Sequence, residues 1–253
     1  MFNLRSSISR SLPQGPSSSG WVVRATGTRA NLVRMARELC AEFLVRTRDE
    51  WLDLAIPPLK RTYTRAAAEW IALELMNIIV AAADLCFGEE VLIRVVSVEP
   101  DDGSWIPDQW TQISKPNRQL PLAEVTFVAF ERKHMRNALL ARLVGTASGF
   151  FDRYEEILQE IFDAKVLFIN DENMGSKEWI IAQGWAVEKE IDAFLETIIH
   201  YKAQRFTSDP ALLIAPNEAR HFLRRLLGSM ISWIIHNNPG GLDRKTNSRR
   251  VAR

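Results

Sequence analysis

The sequence predicts a mainly α-helical protein: a single compact multi-helix domain with at most a small β element, flanked by basic N- and C-terminal arms. Three observations carry this. Apolar residues recur at helical steps in six segments from residue 31 onward; residues 91–98 form the only good strand; and charge is unevenly distributed. The overall composition, 47% apolar and 25% charged in 253 residues, is that of a globular chain and excludes disorder throughout.

The net charge of +1 hides three blocks. Residues 1–37 carry +6, from Arg5, Arg10, Arg24, Arg29, Arg34 and Arg37, with no carboxylate. The last ten residues carry +5, from Arg244, Lys245, Arg249, Arg250 and Arg253, which leaves residues 38–243 at −10. The expected organisation is a basic arm or transit peptide over residues 1–30, a helical core over 31–241 and a basic tail over 242–253.

Within the core, Leu32, Met35, Leu39, Phe43 and Leu44 predict an amphipathic helix over residues 31–47. A short segment around Trp51, Leu52 and Leu54 follows. Residues 64–87, alanine-rich and apolar almost all round before Gly88, predict the central helix. The strand at 91–98 needs a partner, for which residues 21–24 are the nearest, weak candidate. Residues 101–121, with three prolines and two tryptophans, read as a long irregular loop. Four further helices are predicted at 122–147, 151–165, 176–206 and 216–236. Glu69, Glu74, Asn77 and Asp84 interrupt the most apolar stretch, so no transmembrane helix is expected. Cys40 and Cys86 lack metal or disulfide spacing and are expected to be buried, reduced thiols.

Two E-x-x-H pairs, Glu131/His134 and Glu218/His221, have the spacing used by carboxylate-bridged di-metal bundles. A wheel at about 100° per residue places all four off the apolar stripes of their helices, so no metal site is expected there. Glu196/His200 has the spacing of an i,i+4 pair. Phosphate-loop, dinucleotide, zinc-protease and nucleophile-elbow motifs are absent. Gly175-Ser176-Lys177 is expected to be a helix start with Ser176 as its cap. No cofactor is expected.

The basic residues are the more coherent signal. Arg132, Lys133, Arg136 and Arg142 share one predicted helix, and Arg220, Arg224 and Arg225 another. Guanidinium groups at helical spacing contact phosphates well, although glutamates nearby are the ordinary partners of such faces. The function expected is a non-catalytic structural protein, in the manner of nucleocapsid and coat proteins. It would be a homo-oligomer or part of a larger assembly, bound to RNA, DNA or neighbouring subunits through its arms, and intracellular, in the cytoplasm or a virion. The alternative is a nuclear-encoded mitochondrial accessory subunit whose arginine- and serine-rich start directs import. A third is an enzyme with loop 101–121 as a lid over a helical pocket.

Overall fold

A computed structural model describes residues 20–40, 42–60, 63–88, 90–101, 107–108, 120–143, 150–168, 174–203 and 213–237. Among them the order is β1 (Trp21–Gly27), α1 (Arg29–Leu39), β2 (Leu44–Arg48), β3 (Trp51–Ala55), α2 (Arg65–Phe87), β4 (Ile93–Pro100), α3 (Leu122–Glu131), α4 (Lys133–Leu143), α5 (Phe150–Phe168), α6 (Ser176–Ala182), α7 (Glu188–Ala203) and α8 (Pro216–Asn237). The expectation of a mainly α fold with a small β element is thus corrected: the chain is mixed α/β, its first half built on a four-stranded antiparallel sheet.

The sheet order is β2-β3-β1-β4, with every neighbour antiparallel. The β-α-β-β-α-β succession places β3 between β1 and β2, the split βαβ arrangement. Trp21, Val23 and Ala25 of β1, Val45 of β2, Leu52 and Leu54 of β3 and Val98 of β4 are buried with Leu32, Met35 and Leu39 of α1 and the apolar side of α2 in one core. The strand β1 lies inside the segment expected to be an arm, because Val22, Val23 and Ala25 suffice for a central strand once both neighbours supply hydrogen bonds.

The predicted helix over residues 31–47 stops at Leu39, with Cys40 as its C-cap, although no glycine or proline marks the end. Phe43 and Leu44 continue the helical spacing in sequence, but Leu44 begins β2. Thr28 caps the start, accepting a hydrogen bond from the Asn31 N–H.

Helix α2 matches expectation. Thr64 Oγ1 accepts from the Ala67 N–H at its start, and Gly88 ends it in the left-handed region at φ 80°. It is long and apolar enough to cross a membrane by composition, yet 56% of its most apolar window is buried within the fold, where α3, α4 and β4 pack against it. A Cβ at Gly88 would be strained by φ and would lie 2.3 Å from Arg224 Nη2. Gly88→Ala should therefore lower stability by about 1–2 kcal/mol, read as a shift in the urea unfolding midpoint at unchanged slope.

Two long predicted helices are broken. Arg132 adopts an extended conformation (φ −114°, ψ 105°) and separates α3 from α4. Gly184 at φ 69° separates α6 from α7, and the Val187 N–H donates to Glu190 Oε2 to restart the helix. The cap of α6 is Gly175, while Ser176 is its first residue and donates its hydroxyl to the Phe162 carbonyl. Loop 101–121 lies mostly outside the described residues. Its Asp108 donates its N–H to the Val45 carbonyl and accepts from the Thr47 N–H at 2.6 Å, closing the open edge of β2.

Candidate nucleic-acid interface

Because α1 and α2 cover one face of the sheet, strand alternation sends the remaining side chains to the opposite face. The register sets them in three cross-strand rows. Arg48, Trp51, Thr26 and Arg94 form the first, Arg46, Asp53, Arg24 and Ser97 the second, and Leu44, Ala55, Val22 and Glu99 the third. A bulge in β4 beside Arg24 and Ala25 keeps Arg94, Ser97 and Glu99 on this one face. Val22 and Ala55 in the third row are buried, whereas Arg48, Trp51 and Arg94 in the first are exposed, Trp51 by 37%. The face thus carries four arginines against two carboxylates, with an indole among them.

Asp53 organises the second row. Arg24 donates through Nε to Oδ1 at 2.8 Å and through Nη2 to Oδ2 at 3.3 Å, and Arg46 donates through Nη2 to Oδ2 at 2.6 Å and through Nε at 3.1 Å. Burial, at 1% exposure, acts to raise the Asp53 pKa, but the hydrogen bonds from Arg24 and then Arg46 outweigh it and hold the carboxyl below its usual range. The same hydrogen bond raises the Arg24 pKa against the opposing effect of burial. One carboxylate so fixes two guanidinium groups side by side on the face. Arg24 is also 3.8 Å from Glu99, which accepts from the Ser97 hydroxyl.

Sequence reasoning gave no binding role to Arg46, Arg48, Trp51, Asp53 or Arg94; of this face it named only Arg24 as a candidate. The usable signal was alternation: Arg46 and Arg48 at spacing two, then Trp51 and Asp53 at spacing two across the Asp49-Glu50 turn.

Several of the helical arginines expected to form basic faces are held by neighbouring elements. Arg142 pairs with Asp84 of α2 at 3.2 Å. Arg224 donates to the carbonyls of Leu85 and Gly88 at the end of α2, and Arg225 pairs with Glu190 of α7 at 2.5 Å. Arg220 donates from Nε to the Tyr154 hydroxyl at 3.0 Å. Arg132 and Arg136 are half-buried at the α3–α4 junction, while Lys133 and Arg29 are exposed. Arg34 lies over the Phe87 ring at 3.9 Å, joining α1 to α2. Arg5, Arg10, Arg244, Lys245, Arg249, Arg250 and Arg253 lie outside the described residues.

The E-x-x-H residues also have local partners. His134 Nδ1 lies 2.5 Å from Glu160 Oε2 of α5, and Asn137 donates to the other oxygen of the same carboxylate, so His134 faces a neighbouring helix and not bulk water. Glu131 is exposed. Glu218 accepts from the Ala215 N–H at the start of α8, and His221 Nδ1 lies 2.7 Å from the Asn217 carbonyl one turn before it. Among the described residues no three histidine, cysteine or acidic side chains are grouped so as to hold a metal ion. Cys40 and Cys86 are free thiols, half-buried where full burial was expected; burial pushes the Cys40 thiol up. The whole chain matches no protein-family model, no curated protein and no solved structure.

Proposed function

We propose that the protein is a non-catalytic, nucleic-acid-binding assembly protein, with the outer sheet face as a docking surface and the basic ends as electrostatic tethers. The observation that carries this is the first row of that face, in which Arg48 and Arg94 flank Trp51 and Thr26. Arginines supply phosphate contacts and an exposed indole supplies a stacking surface, the combination that binds single strands with little sequence preference. The uneven charge along the chain adds to it: two basic ends beside an acidic middle let one molecule reach either a polyanion or the next subunit. Arg142 and Arg224 are engaged within the fold and Arg225 is paired with Glu190 at the surface, which favours the sheet and the ends over the helices as the binding charge.

Neutralising Arg244, Lys245, Arg249, Arg250 and Arg253 together tests the tethers. For each phosphate that the variant no longer neutralises, the salt dependence of binding should flatten by about 0.7 in log–log slope on a single strand and about 0.9 on a duplex. Assemblies of the intact protein that dissolve on nuclease treatment are held by nucleic acid. Assemblies that survive nuclease but dissolve in high salt are held by arms docked on neighbouring subunits. An unchanged assembly size and an unchanged salt slope in the neutralised variant would refute the tethers.

A further inference from the structure

Strands β2 and β4 form the two edges of the sheet, and the two edges are not equally finished. Asp108 occupies the β2 edge, hydrogen-bonded to Val45 and Thr47. Strand β4 pairs with β1 on one side, and among the described residues no strand or loop pairs with its other side. An edge of eight residues with open N–H and C=O groups is a template for another strand. The side chains of β4 add to this. Val96 in the middle is 47% exposed, while Ile93 and Val95 pack on the core yet stay half-buried. Exposed Arg94 has no ion pair or hydrogen bond among the described residues.

The strand is complementary to a second copy of itself. Laid antiparallel about a two-fold axis, Ile93 of one copy comes opposite Pro100 of the second, Arg94 opposite Glu99, Val95 opposite Val98 and Val96 opposite Ser97. This register pairs the whole strand, and it sets inward Ile93, Val95 and Val98 against inward residues and outward Arg94 against outward Glu99. The bulge beside Arg24 and Ala25 makes this match, because regular alternation would put Arg94 and Glu99 on opposite faces. A slip by one residue opposes inward and outward side chains, and every other register leaves part of β4 unpaired. A bulge on an edge strand ordinarily bends it away from partners, since two residues then face one. Here the extra residue of each copy lies opposite that of the other, so the count is equal on both sides. Unlike charges face each other twice, Arg94 against Glu99 on either side of the axis. Pro100, which lacks an N–H, falls at the end of the ladder, where it interrupts least.

We propose that the protein forms a two-fold symmetric homodimer by antiparallel pairing of β4 with β4 of a second copy, joining two four-stranded sheets into one. The axis stands perpendicular to the sheet, so the two outer faces become one continuous face. Arg94, with five N–H donors, serves Glu99 of the second copy and keeps donors for a phosphate. The pairing itself involves no nucleic acid and stands whether or not the face binds it.

The test is sedimentation velocity of the full chain, nuclease-treated, at low salt and from micromolar to sub-millimolar concentration. Wild type should pass from monomer to dimer. Arg94→Glu and Glu99→Arg should each raise the dimer Kd about tenfold or more, because each replaces two attractive pairs by two repulsive ones. Mixed in equal amounts, the two variants should form a heterodimer with a Kd near that of wild type, since each supplies the charges the other lacks. The double variant R94E/E99R should dimerise as wild type does. Amide hydrogen exchange of wild type needs no variant to fold: exchange along β4 should slow as the dimer fills. A wild type that stays monomeric throughout, a dimer whose β4 amides exchange as in the monomer, or folded single variants that dimerise as well alone as mixed overturns the proposal.

Discussion

Replacing Asp53 by asparagine should destabilise the protein by about 2–4 kcal/mol, seen as a lower urea midpoint at pH 7. The substitution keeps the shape but removes the charge that lets Arg24 and Arg46 lie side by side. Removing one member of a buried ion pair typically costs about 3–5 kcal/mol. The lower figure applies here because the Arg24 side chain keeps a third of its exposure and can recover water. The effect should depend on pH with a definite sign. The Asp53 pKa is depressed in the folded state, so its contribution is complete above the unfolded value of about 3.9 and is lost as pH falls through the folded value. The stability gap between wild type and Asp53→Asn should therefore close on acidification below about pH 4. A gap that stays constant from pH 7 to pH 2 would mean that Asp53 is not ionised in the fold.

Truncating Phe194 to alanine should cost more, about 3–5 kcal/mol. Phe194 of α7 is among the largest fully buried side chains, and its ring packs on Tyr154 of α5 at a centroid distance of 6.2 Å and on Phe222 of α8 at 5.1 Å. Its removal leaves a cavity where three helices converge, and aromatic pairing worth about 0.5–1.5 kcal/mol per pair goes with it. Phe194→Leu, which retains most of the volume, should recover more than half of the stability. Equal instability of the two variants would contradict this packing.

The helices were legible in the sequence wherever strong punctuation accompanied periodicity. Thr64 and Gly88 bracket α2, and the break after residue 237 falls at a run of Asn, Pro and Gly. The sheet was not legible, for reasons that differ by strand. Helix α1 ends without a breaker, so the spacing of Leu39, Phe43 and Leu44 runs on into β2. In β3 Leu52, Asp53, Leu54 and Ala55 are all buried, because a charged pair encloses the outward Asp53, and the inside–outside alternation disappears. Only β4, exposed on one side, kept a readable pattern. The candidate interface was hidden for the same reason: Arg46, Arg48, Trp51 and Arg94 become neighbours only through strand register. Helical spacing set Arg142 on one helix and Arg224 and Arg225 on another, but their partners Asp84, the end of α2 and Glu190 come from distant segments.

The most direct measurement is the salt-dependent fluorescence anisotropy of a labelled single-stranded RNA titrated with wild-type protein and with an R48A/W51A/R94A variant. These three side chains are exposed, so the fold should survive, as circular dichroism can verify. Removing the indole on which a base stacks, worth about 1–3 kcal/mol, should weaken binding by tenfold or more. Removing the two arginines from the phosphates should reduce the log–log salt slope by about 1.4. Wild-type affinity and slope in the folded variant would remove the sheet face from the interface, and no binding by the wild-type protein at low salt would contradict the nucleic-acid function itself.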